Sequence, residues 1–409
     1  MKYSTGLREY TRKRVELIEH ADIVVGIPCY NSENTIRHVI RASAKGIAKY
    51  YHNARGVIII ADGGSTDDTR DIAKEEQLPP YIEKIVQIYR GIPGKGTALR
   101  SIFEVASHLN AKACIVCDSD LKSISTEWIK TLAEPVIKGG YHFVTPLYTR
   151  HKYDGTITNN IIYNLTRALY GKRIRQPIGG DFAFSKEAAK FYLEQDVWQT
   201  DVARYGIDIW MTTSAITQNF KLCQARLGVK IHDAKDPSDS LGPMFRQVLT
   251  TMFTLMENYE NFWKNVKESK PVDILGDAKG EEPETIQVDY GRLVENFKVG
   301  YNHFGALWKT IVNKKSFAKI EEMSKHPIEE FSFSIDDWVK IVYDFAITFH
   351  RWEKNRYKLI DIMTPLYYGG IASFINQTKE MSNSEAETVV ESQAERFEAL
   401  KSYLLEKWG

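Results

Sequence analysis

Long apolar runs are missing from this sequence. No stretch approaches the ~18 consecutive apolar residues of a membrane-spanning helix, so no membrane partner is expected. Residues 1–20, MKYSTGLREYTRKRVELIEH, carry no apolar signal core, which gives the expectation of a cytoplasmic protein. Neither sign of charge is in excess: 54 Lys and Arg face 53 Asp and Glu, for a net +1. That balance argues against a basic stripe for nucleic acid and against an acidic tail. Cysteine is scarce, with four in 409 residues. Cys114 and Cys117 have CxxC spacing, but they sit in an apolar run with no second pair. They read as buried thiols in a reducing compartment rather than as a zinc or redox centre. No internal repeat is present. Aromatics, in contrast, are plentiful: 22 Tyr and 8 Trp, a composition that often accompanies carbohydrate ligands.

The stretch that organises the chain is ACIVCDSDL, residues 113–121. Its apolar start reads as a strand buried on both faces. Two carboxylates follow, Asp118 and Asp120, separated only by Ser119. In an extended chain both would point to one side, at the carboxyl end of a buried strand, where ligands of open α/β sheets bind. Paired carboxylates repel unless a cation lies nearby, and hard oxygen donors suit Mg²⁺ or Mn²⁺ with substrate phosphates. The competing reading is a solvated turn whose aspartates cap the next helix.

The chain in order alternates strands and helices. Residues 1–20 read as a short charged helix, an extension ahead of the fold. Strands are expected at 22–27, 56–61, 84–89, 113–121 and 143–147, with helices between them, the pattern of a parallel sheet. Pro28 should break the first strand, with Asn31 or Ser32 capping the next helix. Asp62 ends the second strand in ADGGSTDDT; it is a turn aspartate or an acceptor for a base or ribose. GIPGKGTA, residues 91–98, is not a Walker A loop, because Gly96 stands where Ser or Thr should follow Lys95. A glycine-flanked lysine before a helix can still approach a diphosphate. Gly179 and Gly180 bring backbone close to something, Asp208 lies near a helix start, and a last strand at 228–231 ends in His232 and Asp233. Residues 264–285 are polar, with Pro and Gly, and read as a linker. The remainder is helical in periodicity. The expected organisation is an α/β domain over 1–263, a linker or exposed loop at 264–285 and a helical domain over 286–409, with a last amphipathic helix carrying Val390, Phe397 and Leu404.

IPCYNSE, ADGGSTDDT, PGKGTAL and DSDL occur in that order at strand ends. Over roughly residues 20–250 the set resembles the GT-A nucleotide-sugar-dependent glycosyltransferases. RHKYDGTIT, RQPIGGDF, RYGIDIW and KIHDA, together with a helical C-terminal part, resemble the mannosylglycerate synthase family and its glucosylglycerate relatives. This resemblance implies a metal-dependent retaining hexosyltransferase of GT-A, Rossmann-like fold. Its donor would be a GDP- or UDP-linked glucose or mannose, its acceptor D-glycerate, and its product a compatible solute. The variant that uses 3-phosphoglycerate is the nearest alternative, with Lys152, Lys172 and Arg173 as cationic partners for the phosphate. An inverting family-2-like transferase and an inactive sugar-nucleotide-binding scaffold are the others. A homo-oligomer is compatible with the reading.

The resemblance also carries roles to residues. Pro28, Tyr30, Glu33 and Asp62 would line the base and ribose pocket, with Lys95 by the nucleotide. Asp118 would touch ribose or metal, and Asp120 and His232 would hold the divalent cation, Mg²⁺ or Mn²⁺, with the diphosphate. Arg150, Asp154 and Thr158 would hold the acceptor. Gly179, Gly180, Asp181 and Asp208 would surround the transferred sugar, with the Ile178 carbonyl beside the anomeric carbon. The family pattern Leu-Gly-Gly-Glu is here Ile178-Gly179-Gly180-Asp181.

Overall fold

The computed structural model describes residues 3–232, 242–278 and 281–409. Asp233, expected to end the last strand, lies outside the described residues, as do 279 and 280 of the expected linker. Among the described residues ten strands are present: β1 (Ile23–Cys29), β2 (Gly56–Asp62), β3 (Ile82–Ile88), β4 (Ala113–Val116), β5 (Phe143–Thr149), β6 (Lys172–Arg173), β7 (Phe182–Ser185), β8 (Leu222–Val229), β9 (Lys270–Pro271) and β10 (Asp273–Leu275). Eight of them form one sheet in the order β10-β8-β5-β7-β4-β1-β2-β3, and β6 pairs with β9 apart from it.

The expected α/β architecture with a C-terminal helical region is what the chain adopts. The sheet is parallel except for β7, which runs antiparallel to both β4 and β5. β1, β2 and β4 are buried along their whole length, which accounts for their unbroken Val/Ile runs. Helix Lys95–His108 lies so close to β1 that a Cβ on Gly26 would sit 2.4 Å from Ile102. Because β7 is reversed, its first residue, Phe182, stands opposite Val116 at the carboxyl end of β4. The loop before β7 is thereby delivered to the edge where the parallel strands end.

Several local expectations shift. β4 stops at Val116, so Asp118 and Asp120 lie beyond the strand and the alternation argument does not apply to them. Pro28 lies inside β1 rather than breaking it; pairing with β4 ends at Gly26, so its missing N–H removes no bond on that side. The cap of the following helix is Thr35, not Asn31 or Ser32. The strand expected at 228–231 is β8, which starts earlier, at Leu222, and ends at Val229.

The compact units do not follow the expected division at 263 and 286. One comprises Met1–Thr149, Gln176–Asp233 and Val272–Pro283; the other comprises Arg150–Arg175, Ala234–Pro271 and Glu284–Gly409. The expected linker contributes β10, which pairs with β8 at the sheet edge. Residues 150–175 join the second unit because helix Tyr163–Tyr170 is fastened to helix Asn383–Ala399. Arg167, 2% exposed, donates to Glu391 and Glu398, and Tyr163 donates to Glu391 at 2.7 Å. In the same unit helices Tyr290–Ile311 and Arg356–Thr378 touch where a Cβ on Gly300 would lie 2.2 Å from Pro365. The expected last helix is two, breaking at Leu400 before Lys401–Trp408, and Val390, Phe397 and Leu404 are all buried. Among the described residues no helix is long and apolar enough to cross a membrane.

Candidate active site

The first unit gathers charged groups at the carboxyl edge of its sheet. Asp118 follows β4 and stands between two ammonium groups: Lys95 Nζ lies 2.9 Å from Oδ1 and Lys230 Nζ 3.3 Å from Oδ2. Lys95 begins helix Lys95–His108 and also pairs with Asp208, at 3.3 Å, on helix Ile207–Thr217. Glycine makes that approach feasible, since a Cβ on Gly96 would lie 1.8 Å from the Val202 carbonyl oxygen. Lys230 follows β8 and also reaches Asp181 at 3.0 Å and the Gly179 carbonyl at 3.0 Å.

Asp181 is fully buried and fully engaged. Its Oδ1 accepts the Asp118 N–H at 2.8 Å, and its Oδ2 accepts from the Tyr148 hydroxyl and from Lys230. The loop that carries it is pinned by Gln176, whose amide bonds both backbone groups of Tyr148, at 3.0 and 3.1 Å. Gly180 has φ +96°, and a Cβ there would stand 2.1 Å from Asp118 Oδ2. Gly179 packs on Pro146, which leaves no room for a Cβ. The turn closes from the Gly179 N–H to the Gln176 carbonyl at 3.1 Å, and among the described residues no backbone N–H donates to the Ile178 carbonyl.

Asp120 makes no hydrogen bond or ion pair with any described residue. Burial raises its carboxyl pKa, the charge of Asp118 raises it further, and Lys230 and His232 oppose the rise. His232 is brought alongside by the backbone: the Lys122 N–H donates to the Ile231 carbonyl and the Ile231 N–H to Ser123 Oγ, both at 2.9 Å. Burial likewise pushes the Asp208 carboxyl up against the pull of Lys95, and Asp208 Oδ1 is a buried oxygen without a hydrogen-bond partner among the described residues. At Asp118 burial acts upward, but Lys95 and Lys230 overcome it and hold the carboxyl well below the usual range. Lys95 itself is held above the usual lysine range, its burial outweighed by Asp118 and Asp208.

The four carboxylates of Asp118, Asp120, Asp181 and Asp208 thus face the two ammonium groups of Lys95 and Lys230. Among the described residues no group of three or more His, Cys, Asp or Glu side chains is arranged to hold a metal ion. A Mg²⁺-type site, however, takes one or two protein ligands and completes its shell with phosphate oxygens and water. Asp120, with its unengaged carboxylate beside His232, fits that donor set. Asp118 already shares both oxygens with lysines.

The other expected residues lie outside this ion-pair cluster. Asp62 is fully buried and spends its oxygens on its own turn, accepting from the N–H groups of Gly64 and Ser65 and from Ser65 Oγ. Glu33 is exposed and bonds the Asp68 N–H at 3.0 Å; Tyr30 is 61% exposed at the end of β1, and Pro28 is buried. Arg150, Asp154 and Thr158 belong to the second unit. There Arg150 pairs with Asp154 at 3.5 Å, and Thr158 opens a π-helical turn, Thr158–Ile162. Lys152 donates to the carbonyls of Thr378, Lys379 and Met381, at 2.8, 3.1 and 2.5 Å, which commits its ammonium to backbone. Sequence reasoning missed Lys230, Tyr148 and Gln176. Lys230 carried the same signal as Asp118, a charge directly after a buried strand; Gln176 and Tyr148 carried none.

With the fold and site in place, the matches to known proteins are informative. Residues 24–195 match the family described as Glycosyl transferase family 2. The first unit has a GT-A-like α/β fold, and part of it, 24–195, is similar to Glycosyl transferase family 2. Glycosyltransferase AglJ of Haloferax volcanii is 28% identical over 167 residues, 39% of this chain and 49% of that protein. The chain therefore spans about half the length of this curated relative. Among solved structures, the chain is similar to glucosyl-3-phosphoglycerate synthase from Mycobacterium tuberculosis in complex with Mn²⁺, UDP-glucose and phosphoglyceric acid. That similarity is 25% identity over 62% of this chain and 86% of that one, at a TM-score of 0.47. The same enzyme with Mg²⁺ and UDP gives 24% identity over 61% and 85%, at a TM-score of 0.47.

Proposed function

We propose that the chain is a divalent-cation-dependent, retaining hexosyltransferase. It moves glucose or mannose from a GDP- or UDP-linked donor to D-glycerate, giving α-glucosylglycerate or α-mannosylglycerate as a compatible solute. The observation that carries the reading is the cluster of Asp118, Asp120, Asp181 and Asp208 with Lys95 and Lys230 at one sheet edge. A glycosyl transfer must stabilise a departing nucleoside diphosphate, and preformed cations at a water-poor site do so without reorganisation. Lys95 and Lys230 are such cations. Asp120 and His232 would hold Mg²⁺ or Mn²⁺, which as a Lewis acid neutralises charge on the leaving diphosphate. Gly179 and Gly180 would let the backbone approach the sugar, and the Ile178 carbonyl would face a developing oxocarbenium charge.

On the acceptor side, a guanidinium binds a carboxylate in a two-pronged way, which suits Arg150 to glycerate. Asp154 and Thr158 would receive the acceptor's hydroxyls. The 3-phosphoglycerate alternative needs further cations, and Lys152 is engaged with three carbonyls, which favours the unphosphorylated acceptor. A second reading has a specific observation behind it. Asp208 has a buried oxygen without a partner among the described residues and a raised carboxyl pKa, features of a general base in an inverting transfer.

The test is a matrix of UDP- and GDP-hexoses against glycerate, 3-phosphoglycerate and other small hydroxy acids, read by release of nucleoside diphosphate with and without chelator. Release confined to glycerate and abolished by chelator is the expected outcome. Release with 3-phosphoglycerate alone overturns the acceptor, and no release with any pair in the presence of Mn²⁺ overturns the activity.

A further inference from the structure

The loop between the two aspartates after β4 is held from outside. Ser119, 8% exposed, is gripped by two hydroxyls of the loop that follows β1. Ser32 Oγ lies 2.8 Å from Ser119 Oγ, and Thr35 Oγ1 donates to the Ser119 carbonyl at 2.7 Å. Ser32 and Thr35 are buried as well, at 9% and 6% exposed, so water does not compete for these bonds. The holding loop is itself fixed to the loop after β2. The Ser32 N–H donates to Thr69 Oγ1 at 2.7 Å, and the Asn31 N–H to Ser65 Oγ at 2.9 Å. Ser65 in turn bonds the buried Asp62, and the Thr66 N–H donates to Asn31 Oδ1 at 2.9 Å. Three strand-end loops form one hydrogen-bonded belt, and it terminates on Ser119.

This matters because the two flanking carboxylates have different partners. Asp118 is anchored on its own side by Lys95, Lys230 and, through its N–H, Asp181. Asp120 has no such anchor among the described residues, so its place depends on the peptide at Ser119. The carbonyl that Thr35 grips belongs to the peptide unit joining Ser119 to Asp120; rotation of that unit would swing the Asp120 carboxylate.

We infer that Thr35 and Ser32 are positioning residues that set the Asp120 carboxylate for its cation. The inference rests on the functional reading above, in which Asp120 and His232 hold a divalent ion with a nucleoside diphosphate. Neither hydroxyl touches the donor; each acts through Ser119. Loss of the Thr35 hydroxyl leaves the Ser119 carbonyl buried without its donor and frees the peptide to turn.

The experiment titrates Mn²⁺ calorimetrically into the full chain in the presence of UDP, and separately GDP, with melting temperature followed in parallel. Thr35→Val keeps the shape and removes the hydroxyl; Mn²⁺ binding with nucleotide should weaken roughly tenfold, in line with loss of one buried hydrogen bond. Thr35→Ser, which keeps the hydroxyl, should bind as the wild type does. Ser32→Ala should weaken binding in the same direction and serves if Thr35→Val does not fold. Wild-type binding by both Thr35→Val and Ser32→Ala overturns the inference, as does equal weakening in Thr35→Val and Thr35→Ser. Failure of the wild type to bind Mn²⁺ with either nucleotide overturns the functional reading itself, and the inference with it.

Discussion

Gly180 and Asp118 are in such close contact that a methyl group on the glycine would lie 2.1 Å from the aspartate Oδ2. The carboxylate cannot yield, because lysines hold it from both sides. An alanine would also be strained there, since φ at this position is +96°, a region that glycine adopts freely and residues with a Cβ do not. Gly180→Ala should therefore break the cluster. The expected cost is about 1–3 kcal/mol of stability from steric overlap, with loss of nearly all donor-dependent diphosphate release. Thermal melting and a release assay check both; full activity in a folded Gly180→Ala protein would show that this contact is not needed.

Metal binding gives a second expectation. Asp120→Asn and His232→Ala should each remove Mn²⁺-dependent nucleotide binding and most turnover, because the diphosphate charge is left uncompensated. Thermal stability of the Asp120→Asn protein should hardly change, since Asp120 makes no hydrogen bond with a described residue. Mn²⁺ titration of nucleotide binding checks this. Normal metal dependence in His232→Ala would exclude the histidine as a ligand.

The fold was legible in the sequence because buried parallel strands have a strong pattern. GVIIIAD and IVVGIPC read as strands, and they are buried throughout. The strand-end carboxylates were legible for the same reason, since a charge directly after such a run is conspicuous. Their partners were less so. Asp118 meets Lys230 across 112 residues of sequence, and no local spacing reports that. Residues 150–175 illustrate another limit. Their helical period was plain, but their membership in the second unit depends on Arg167 meeting Glu391 and Glu398, more than two hundred positions away. Asp62 shows the opposite case: its sequence context, two glycines and a serine, already stated the turn that consumes its oxygens.

In the second unit Arg175 and Glu387 form a two-pronged pair, with contacts of 2.5 and 2.8 Å. Burial acts upward on the Glu387 carboxyl, and Arg175 outweighs it and holds the pKa below the ordinary value of 4.5. The folded pKa is thus depressed. The pair's contribution to stability is fully present above about pH 4.5 and is lost as pH falls through the depressed value. Chemical denaturation of Glu387→Gln against wild type should give a constant deficit at neutral pH that shrinks only below that point. A deficit that already shrinks between pH 7 and pH 5 would contradict the depressed value.

Stereochemistry separates the two readings of the active site. An inverting transfer needs a carboxylate free to take the acceptor's proton on the face opposite the leaving group. Asp181 is not free: its oxygens accept from the Asp118 N–H, from Tyr148 and from Lys230, and it is fully buried. Asp208 is the remaining candidate, with one oxygen held by Lys95 and the other without a partner among the described residues. If Asp208 instead orients the sugar, its unpaired oxygen takes a hexose hydroxyl. The departing phosphate oxygen then accepts the proton, and attack comes on the face it leaves. The expected product from an α-linked donor is the α-glycoside. Asp208→Asn should lower kcat strongly, by roughly 2–3 kcal/mol for a charge-assisted hydrogen bond, while leaving nucleoside diphosphate affinity nearly intact. Proton NMR of fresh glucoside reads the anomeric coupling directly. A β-glucoside would make Asp208 the base and replace the retaining mechanism with the inverting one, while the GT-A-like fold of the domain is untouched by that outcome.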